Sequence, residues 1–131
     1  MLSIEAADNI NPLILAYVGD SALELLVRER LTLSGITKPG EINKKALEYV
    51  TAKSQCAALD RVIEIFSEKE SDIYRRGKNA KSHSVPRNVT VYEYRKATGF
   101  EAVFGYNYLM GINERNRELF SIAYCQKDLL L

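Results

Sequence analysis

The helical pattern of this sequence is clearest in residues 12–31, PLILAYVGDSALELLVRERL. Every residue from Leu13 to Val18 is apolar, and apolar residues continue at helical spacing as far as Leu31. Pro12 suits the first turn of a helix and Asn11 can cap it. The pattern therefore predicts a buried helix of about twenty residues that ends before Ser34.

Helical periodicity also accounts for most of the remaining chain. It predicts helices over residues 41–50, 52–66, 68–79, 89–110 and 113–124, with Ser67 and Glu70 at the spacing of a capping box. Residues 37–40 are predicted to form a turn, and residues 81–88 an exposed loop. No segment shows the period of two that is typical of strands. We expect an all-α fold of about six helices, forming a single domain over residues 1–131.

Composition excludes several classes of protein. The chain is 47% hydrophobic and 27% charged, which favours a folded globular protein over a disordered one. No apolar run approaches the ~20 residues that span a bilayer, and the N-terminus lacks the pattern of a signal peptide. Cys56 and Cys125 fit no metal-binding spacing. We expect a cytoplasmic protein with no membrane association.

Basic residues are concentrated in one part of the chain. The net charge is only +1, but residues 75–96 contain seven basic residues and a single acidic one, Glu93. The rest of the chain is therefore net acidic. This asymmetry indicates a local surface that binds anions, although a solvated helix end and loop would give the same pattern.

Two isolated carboxylates interrupt the most apolar helices. Asp20 is the only charged residue between positions 13 and 22, and Glu101 is the only one between positions 98 and 112. Glycines lie close to both, at positions 19, 99 and 105. A glycine inside a helix costs ~1 kcal/mol relative to alanine, so it usually has a packing reason. We expect two apolar helices that cross closely, each with one carboxylate.

Carboxylates at such a crossing are unfavourable unless they are paired or bind a cation. Mg²⁺ prefers oxygen ligands and often binds one or two carboxylates together with water and phosphate, an arrangement suited to phosphodiester hydrolysis. An ion pair is the alternative, for example between Glu101 and Arg28 or Arg95. The spacing alone does not decide between them.

Three motifs resemble the ribonuclease III family. Residues 17–24, YVGDSALE, resemble its signature, and residues 99–109, GFEAVFGYNYL, resemble its second motif. Residues 11–17, 74–81 (YRRGKNAK) and 94–102 are similar to the Mini-ribonuclease III subgroup. The resemblance covers nearly the whole chain.

The resemblance implies an all-α ribonuclease III endonuclease domain that acts as a homodimer and lacks a double-stranded RNA-binding domain. It implies a Mg²⁺-dependent endoribonuclease that cleaves double-stranded RNA during maturation of the large-subunit (23S) ribosomal RNA precursor. Whether a ribosomal protein assists is left open. The position of the dimer surface is also open, and we expect it near residues 13–31.

Asp20 matches the catalytic aspartate of the family, and Glu101 matches its metal-binding glutamate. Ribonuclease III carries three further acidic residues where this chain has Leu13, Ala16 and Thr98. Because of these departures from the family pattern, we expect Asp20 and Glu101 to hold one Mg²⁺ per subunit, with water and phosphate in the remaining positions.

A catalytic dimer without a separate binding domain must itself grip the duplex, through phosphates and 2′-hydroxyls. We expect this contact from the basic and polar residues Arg75, Arg76, Lys78, Asn79, Lys81 and His83. Two other hypotheses compete with the nuclease. The three missing acids favour a non-catalytic RNA-binding factor for ribosome assembly, and a helical protein–protein adaptor would use the basic run only as solvated surface.

Overall fold

The computed structural model describes residues 2–81 and 84–124, and within them the chain forms seven α-helices and no strand. The predicted all-α fold is confirmed. None of the described helices is long and apolar enough to cross a bilayer. The helices are α1 (Ile4–Asp8), α2 (Pro12–Leu33), α3 (Pro39–Val50), α4 (Ala52–Val62), α5 (Glu68–Asn79), α6 (Val91–Leu109) and α7 (Asn113–Ala123).

The longer helices begin at strong local signals. The Asn11 side chain accepts a hydrogen bond from the backbone N–H of Leu13 at 2.8 Å, and Pro12 occupies the first turn of α2. Ser67 and Glu70 form the predicted capping box of α5. A second capping box, formed by Thr90 and Glu93, starts α6.

Several details differ from the prediction. The short helix α1 was not predicted, because its five residues give too few turns for a periodic signal. The predicted turn at residues 37–40 is wrong in its second half, since Pro39 and Gly40 form the first turn of α3. Helix α4 ends at Val62, and a 3₁₀ turn (Ile63–Ile65) replaces the last turn that we predicted.

Helix α6 lies at the centre of the fold and packs against α2, α4, α5 and α7. Glycines let α2 and α6 approach at the level of their backbones. A Cβ atom on Gly19 would stand 1.7 Å from the backbone oxygen of Glu101, and one on Gly105 would stand 1.9 Å from the backbone oxygen of Leu15. The close crossing predicted from the glycines is therefore confirmed, and the residues next to it include both isolated carboxylates.

Candidate active site

A cavity of about 360 Å³ opens where α2, α4 and α6 meet. Its charged or amide-bearing lining residues are Asp20 of α2, Gln55 of α4 and Glu101 of α6. Asp20 is exposed to solvent, whereas Glu101 is half-buried. Much of the remaining wall is apolar, and it includes Pro86 and Val89 from the loop between α5 and α6. The two carboxylates that the sequence singled out thus share one open cavity.

The Asp20 carboxylate affects the pKa of Glu101. Burial is the main cause that raises the pKa of Glu101 to about 8, and the negative charge of Asp20 raises it further. A hydrogen bond from Gln55 acts in the opposite direction. Two carboxylates in one cavity repel one another unless a cation offsets their charge.

Within residues 2–81 and 84–124, neither Arg28 nor Arg95 forms an ion pair with Glu101, so the alternative left open by the sequence is wrong. Arg28 donates a hydrogen bond to Glu24, one turn earlier on α2, at 2.7 Å. Among the described residues, Gln55 is the side chain that donates a hydrogen bond to Glu101. The site therefore has two carboxylates without a cationic side chain paired to Glu101.

Gln55 was missed by the sequence analysis. It lies in the first turns of α4, where Thr51 caps the helix, and it is only 3% exposed. Its Nε2 atom donates a hydrogen bond to Oε2 of Glu101 at 3.2 Å. A signal was present, because Gln55 shares the buried face of α4 with Leu59 and Val62 at helical spacing. A polar residue on a core face usually has a specific partner.

The three departures from the ribonuclease III pattern also lie at this cavity. Leu13, Ala16 and Thr98 all line it. The Thr98 hydroxyl donates a hydrogen bond to the backbone oxygen of Tyr94 at 2.8 Å, one turn earlier on α6. Asp20 and Glu101 are consequently the only carboxylates among the described residues that line the cavity.

The donor set of the cavity fits a hard divalent cation. No group of three or more His, Cys, Asp or Glu side chains within residues 2–81 and 84–124 is arranged to hold a metal. Two carboxylates are nevertheless sufficient for Mg²⁺, which retains several water ligands and commonly uses one or two carboxylates. A dication would also offset the two main causes of the raised pKa of Glu101, which are burial and then repulsion from Asp20.

Most of the predicted RNA-binding residues lie at the end of α5. Asn79 and Lys81 are exposed and Lys78 is half-buried. Arg75 is exposed and forms an ion pair with Asp72 at 2.5 Å. The chain then continues into the loop whose Pro86 and Val89 line the cavity. His83, the sixth predicted residue, lies outside the described residues.

Arg76, unlike its neighbours on α5, makes hydrogen bonds to another part of the fold. Its guanidinium donates hydrogen bonds to the backbone oxygens of Asp8 at 3.1 Å and Ile10 at 3.5 Å. These contacts tie the end of α1 and the following turn to α5. Arg76 therefore has a structural contact that the sequence did not indicate, since α1 itself was not predicted.

An apolar surface lies on the same helix as Asp20. Tyr17 is 79% exposed and Leu25 is 66% exposed, and both belong to α2. Tyr108 of α6 is 51% exposed beside them. The three residues line a second cavity, of about 280 Å³, whose surface is mostly apolar. Large apolar side chains grouped in this way commonly mark an interaction surface.

Comparison with known proteins yields consistent matches. The sequence matches the family described as Ribonuclease III domain over residues 13–111. It is 44% identical over 112 residues to Mini-ribonuclease 3 from Symbiobacterium thermophilum, which covers 86% of each chain. It is 42% identical over 122 residues to Mini-ribonuclease 3 from Enterococcus faecalis, covering 92% of this chain and 91% of that protein.

A solved structure shares the fold. The X-ray crystal structure of protein FN1578 from Fusobacterium nucleatum matches with a TM-score of 0.78 at 33% sequence identity. The match covers 87% of this chain and 91% of that chain. The family match over residues 13–111 includes Asp20, Gln55 and Glu101, so it spans the whole set of polar groups in the cavity.

Proposed function

This chain belongs to the ribonuclease III family and is an endoribonuclease of the Mini-ribonuclease III type, and we propose that it cleaves double-stranded RNA with Mg²⁺ held by Asp20 and Glu101. The observation that carries this assignment is the meeting of the two carboxylates in one open cavity. Two helices that cross through glycines bring them together, so the site is part of the packing of the fold.

The polar side chains of the cavity have different proposed roles. The oxygen atoms of Asp20 and Glu101 bind the cation, and Gln55 holds one oxygen of Glu101. When bound, Mg²⁺ supplies a more acidic water for attack on the phosphodiester and stabilises the charge that develops on the phosphate. With two carboxylates and three non-acidic residues at the other family positions, we propose one ion per subunit.

The basic end of α5 is proposed to grip the phosphates of the duplex. Duplex RNA offers phosphates and 2′-hydroxyls to a protein, which suits Arg75, Lys78, Asn79 and Lys81. His83 stays a predicted contact of the same kind. Arg76 is proposed to act here mainly by holding α1, because its guanidinium already binds two backbone oxygens.

A second copy of the chain is the proposed partner at the surface of Tyr17, Leu25 and Tyr108. A two-fold dimer would bury these exposed apolar side chains and place two cavities in one particle. It would also double the number of phosphate contacts, which strengthens binding to a long duplex.

The proposed natural substrate is a paired segment of the 23S ribosomal RNA precursor in the cytoplasm. The names of the relatives support the ribonuclease activity, and the basic end of α5 supports a nucleic-acid substrate. The test compares a precursor transcript with an unrelated duplex of equal length. Cleavage at defined positions in the precursor alone is expected, whereas equal cleavage of both would reject this substrate and leave the nuclease assignment intact.

A further inference from the structure

Gln55 is a buried polar residue whose carboxamide contacts the proposed cation-binding pair. It is 3% exposed, and its Nε2 atom lies 3.2 Å from Oε2 of Glu101. The bond joins α4 to α6, because the two residues are 46 positions apart in the chain. A buried amide with a specific carboxylate partner restricts the orientation of that carboxylate.

The start of α4 fixes the position of Gln55. The Thr51 side chain accepts a hydrogen bond from the backbone N–H of Ser54 at 3.1 Å, and the Thr51 backbone oxygen accepts one from Gln55 at 2.9 Å. These contacts anchor the first turn of the helix. Helix α4 also packs along α6. The backbone that carries Gln55 is therefore held in place beside Glu101.

We propose that Gln55 is a positioning residue, which holds the Glu101 carboxylate in the orientation that binds the divalent cation. The inference rests on the proposed function, since it assigns a role within the same Mg²⁺ site. Gln55 acts through Glu101, by fixing one of its two oxygens. Hydrogen-bonded partners of metal-binding carboxylates typically change metal affinity by ~10- to 100-fold when they are replaced.

The test measures Mn²⁺ binding by electron paramagnetic resonance, without RNA, on the wild-type protein and on Gln55→Met. Methionine preserves an unbranched side chain of similar length and removes the N–H donor. Gln55→Asn is the second variant, because it keeps the position polar while withdrawing the amide by one methylene group. Thermal unfolding in EDTA shows that each variant is folded before the Mn²⁺ titration.

Asn116→Leu is the matched control. Asn116 lies on α7, is 4% exposed, and donates a hydrogen bond from Nδ2 to the backbone oxygen of Phe104 at 2.9 Å. It does not line the cavity. Its replacement removes a buried amide donor elsewhere, so it should lower the melting temperature and leave the Mn²⁺ dissociation constant unchanged.

We expect both Gln55 variants to raise the Mn²⁺ dissociation constant by ~10-fold or more. The Mg²⁺ concentration for half-maximal cleavage of duplex RNA should rise in parallel, with most of the maximal rate recovered at saturating Mg²⁺. Variants that are folded and bind Mn²⁺ within twofold of the wild type would overturn the role of Gln55 alone. A wild-type protein that binds no Mn²⁺ would overturn the proposed metal site and this inference with it.

Discussion

Gly19 of α2 packs directly on the backbone of Glu101 in α6: a Cβ atom at position 19 would stand 1.7 Å from the backbone oxygen of Glu101. Gly19 immediately precedes Asp20, so the packing contact and the two carboxylates share one small region. The geometry of the site therefore depends on the absence of a single methyl group. Stability and activity should respond together when that group is added.

Gly19→Ala is expected to lower the free energy of unfolding by about 3 kcal/mol, because the added methyl group meets backbone atoms that cannot move aside. Chemical denaturation monitored by circular dichroism measures the change. Gly40→Ala is the control, since a Cβ atom there has no neighbour within 4 Å and alanine favours the helix. Equal stability of the two variants would contradict the close crossing.

Glu70 should make stability depend on pH below its ordinary pKa of 4.5. Burial raises the pKa of Glu70, but hydrogen bonds from Arg115, the backbone N–H of Ser67 and Asn107 outweigh it, and the pKa lies below the ordinary value. As the pH falls, the Glu70 carboxylate is protonated in the unfolded chain before it is protonated in the folded chain. The stability that Glu70 contributes is therefore present above the ordinary pKa of 4.5, and it is lost as the pH falls through the lowered pKa of the folded state.

Glu70→Gln should cost about 3 kcal/mol at pH 7, because Arg115 loses its buried partner. The difference from the wild type should shrink as the pH is lowered from 6 to 3 in urea denaturation. Glu118→Gln removes an exposed partner of the same arginine and should cost less than about 1 kcal/mol. A Glu70→Gln difference that stays constant with pH would show that the charge of Glu70 is not the cause.

Lys78→Ala is expected to weaken binding to duplex RNA in EDTA and to reduce the slope of log K against log salt by about 1. Lys38→Ala is the control, because it removes the same charge at the start of α3. The residue of α3 that lines the cavity is Val50, at the other end of the helix, so the slope should stay unchanged. Identical slopes for the two variants would show that Lys78, at the end of α5, does not contact RNA.

Arg76→Ala should chiefly destabilise the fold, by about 1.5 kcal/mol, since it removes hydrogen bonds to the backbone oxygens of Asp8 and Ile10. Thermal unfolding and the salt slope are measured on the same preparation. A normal melting temperature with a reduced salt slope would show that Arg76 contacts RNA and does not chiefly stabilise the fold.

Leu25→Glu is expected to convert the proposed dimer to a monomer, because it places a charge on the apolar surface that the dimer would bury. Analytical ultracentrifugation measures the mass. Leu33→Glu is the control on the same helix, since Leu33 is 74% exposed and lies eight residues further along α2. A dimer that survives Leu25→Glu would exclude this surface.

The crossing of α2 and α6 could be predicted from sequence because its signals are local. Isolated carboxylates and glycines inside strongly apolar helices mark a close contact. Gln55 and Arg76 could not be assigned in the same way. The partner of Gln55 is 46 residues away, and Arg76 binds a helix too short for a periodic signal. Such contacts depend on how helices pack, which spacing along the chain does not specify.

The most direct test of the account is cleavage of a long duplex RNA by the wild-type protein and by Asp20→Asn, in Mg²⁺ and in EDTA, with duplex binding measured in parallel. We expect cutting only by the wild-type protein in Mg²⁺, with RNA binding in EDTA unchanged by the substitution. Cutting by Asp20→Asn at the wild-type rate would contradict the assignment of Asp20 to the metal. A wild-type protein that binds the duplex without cutting it would contradict the nuclease and favour an RNA-binding assembly factor.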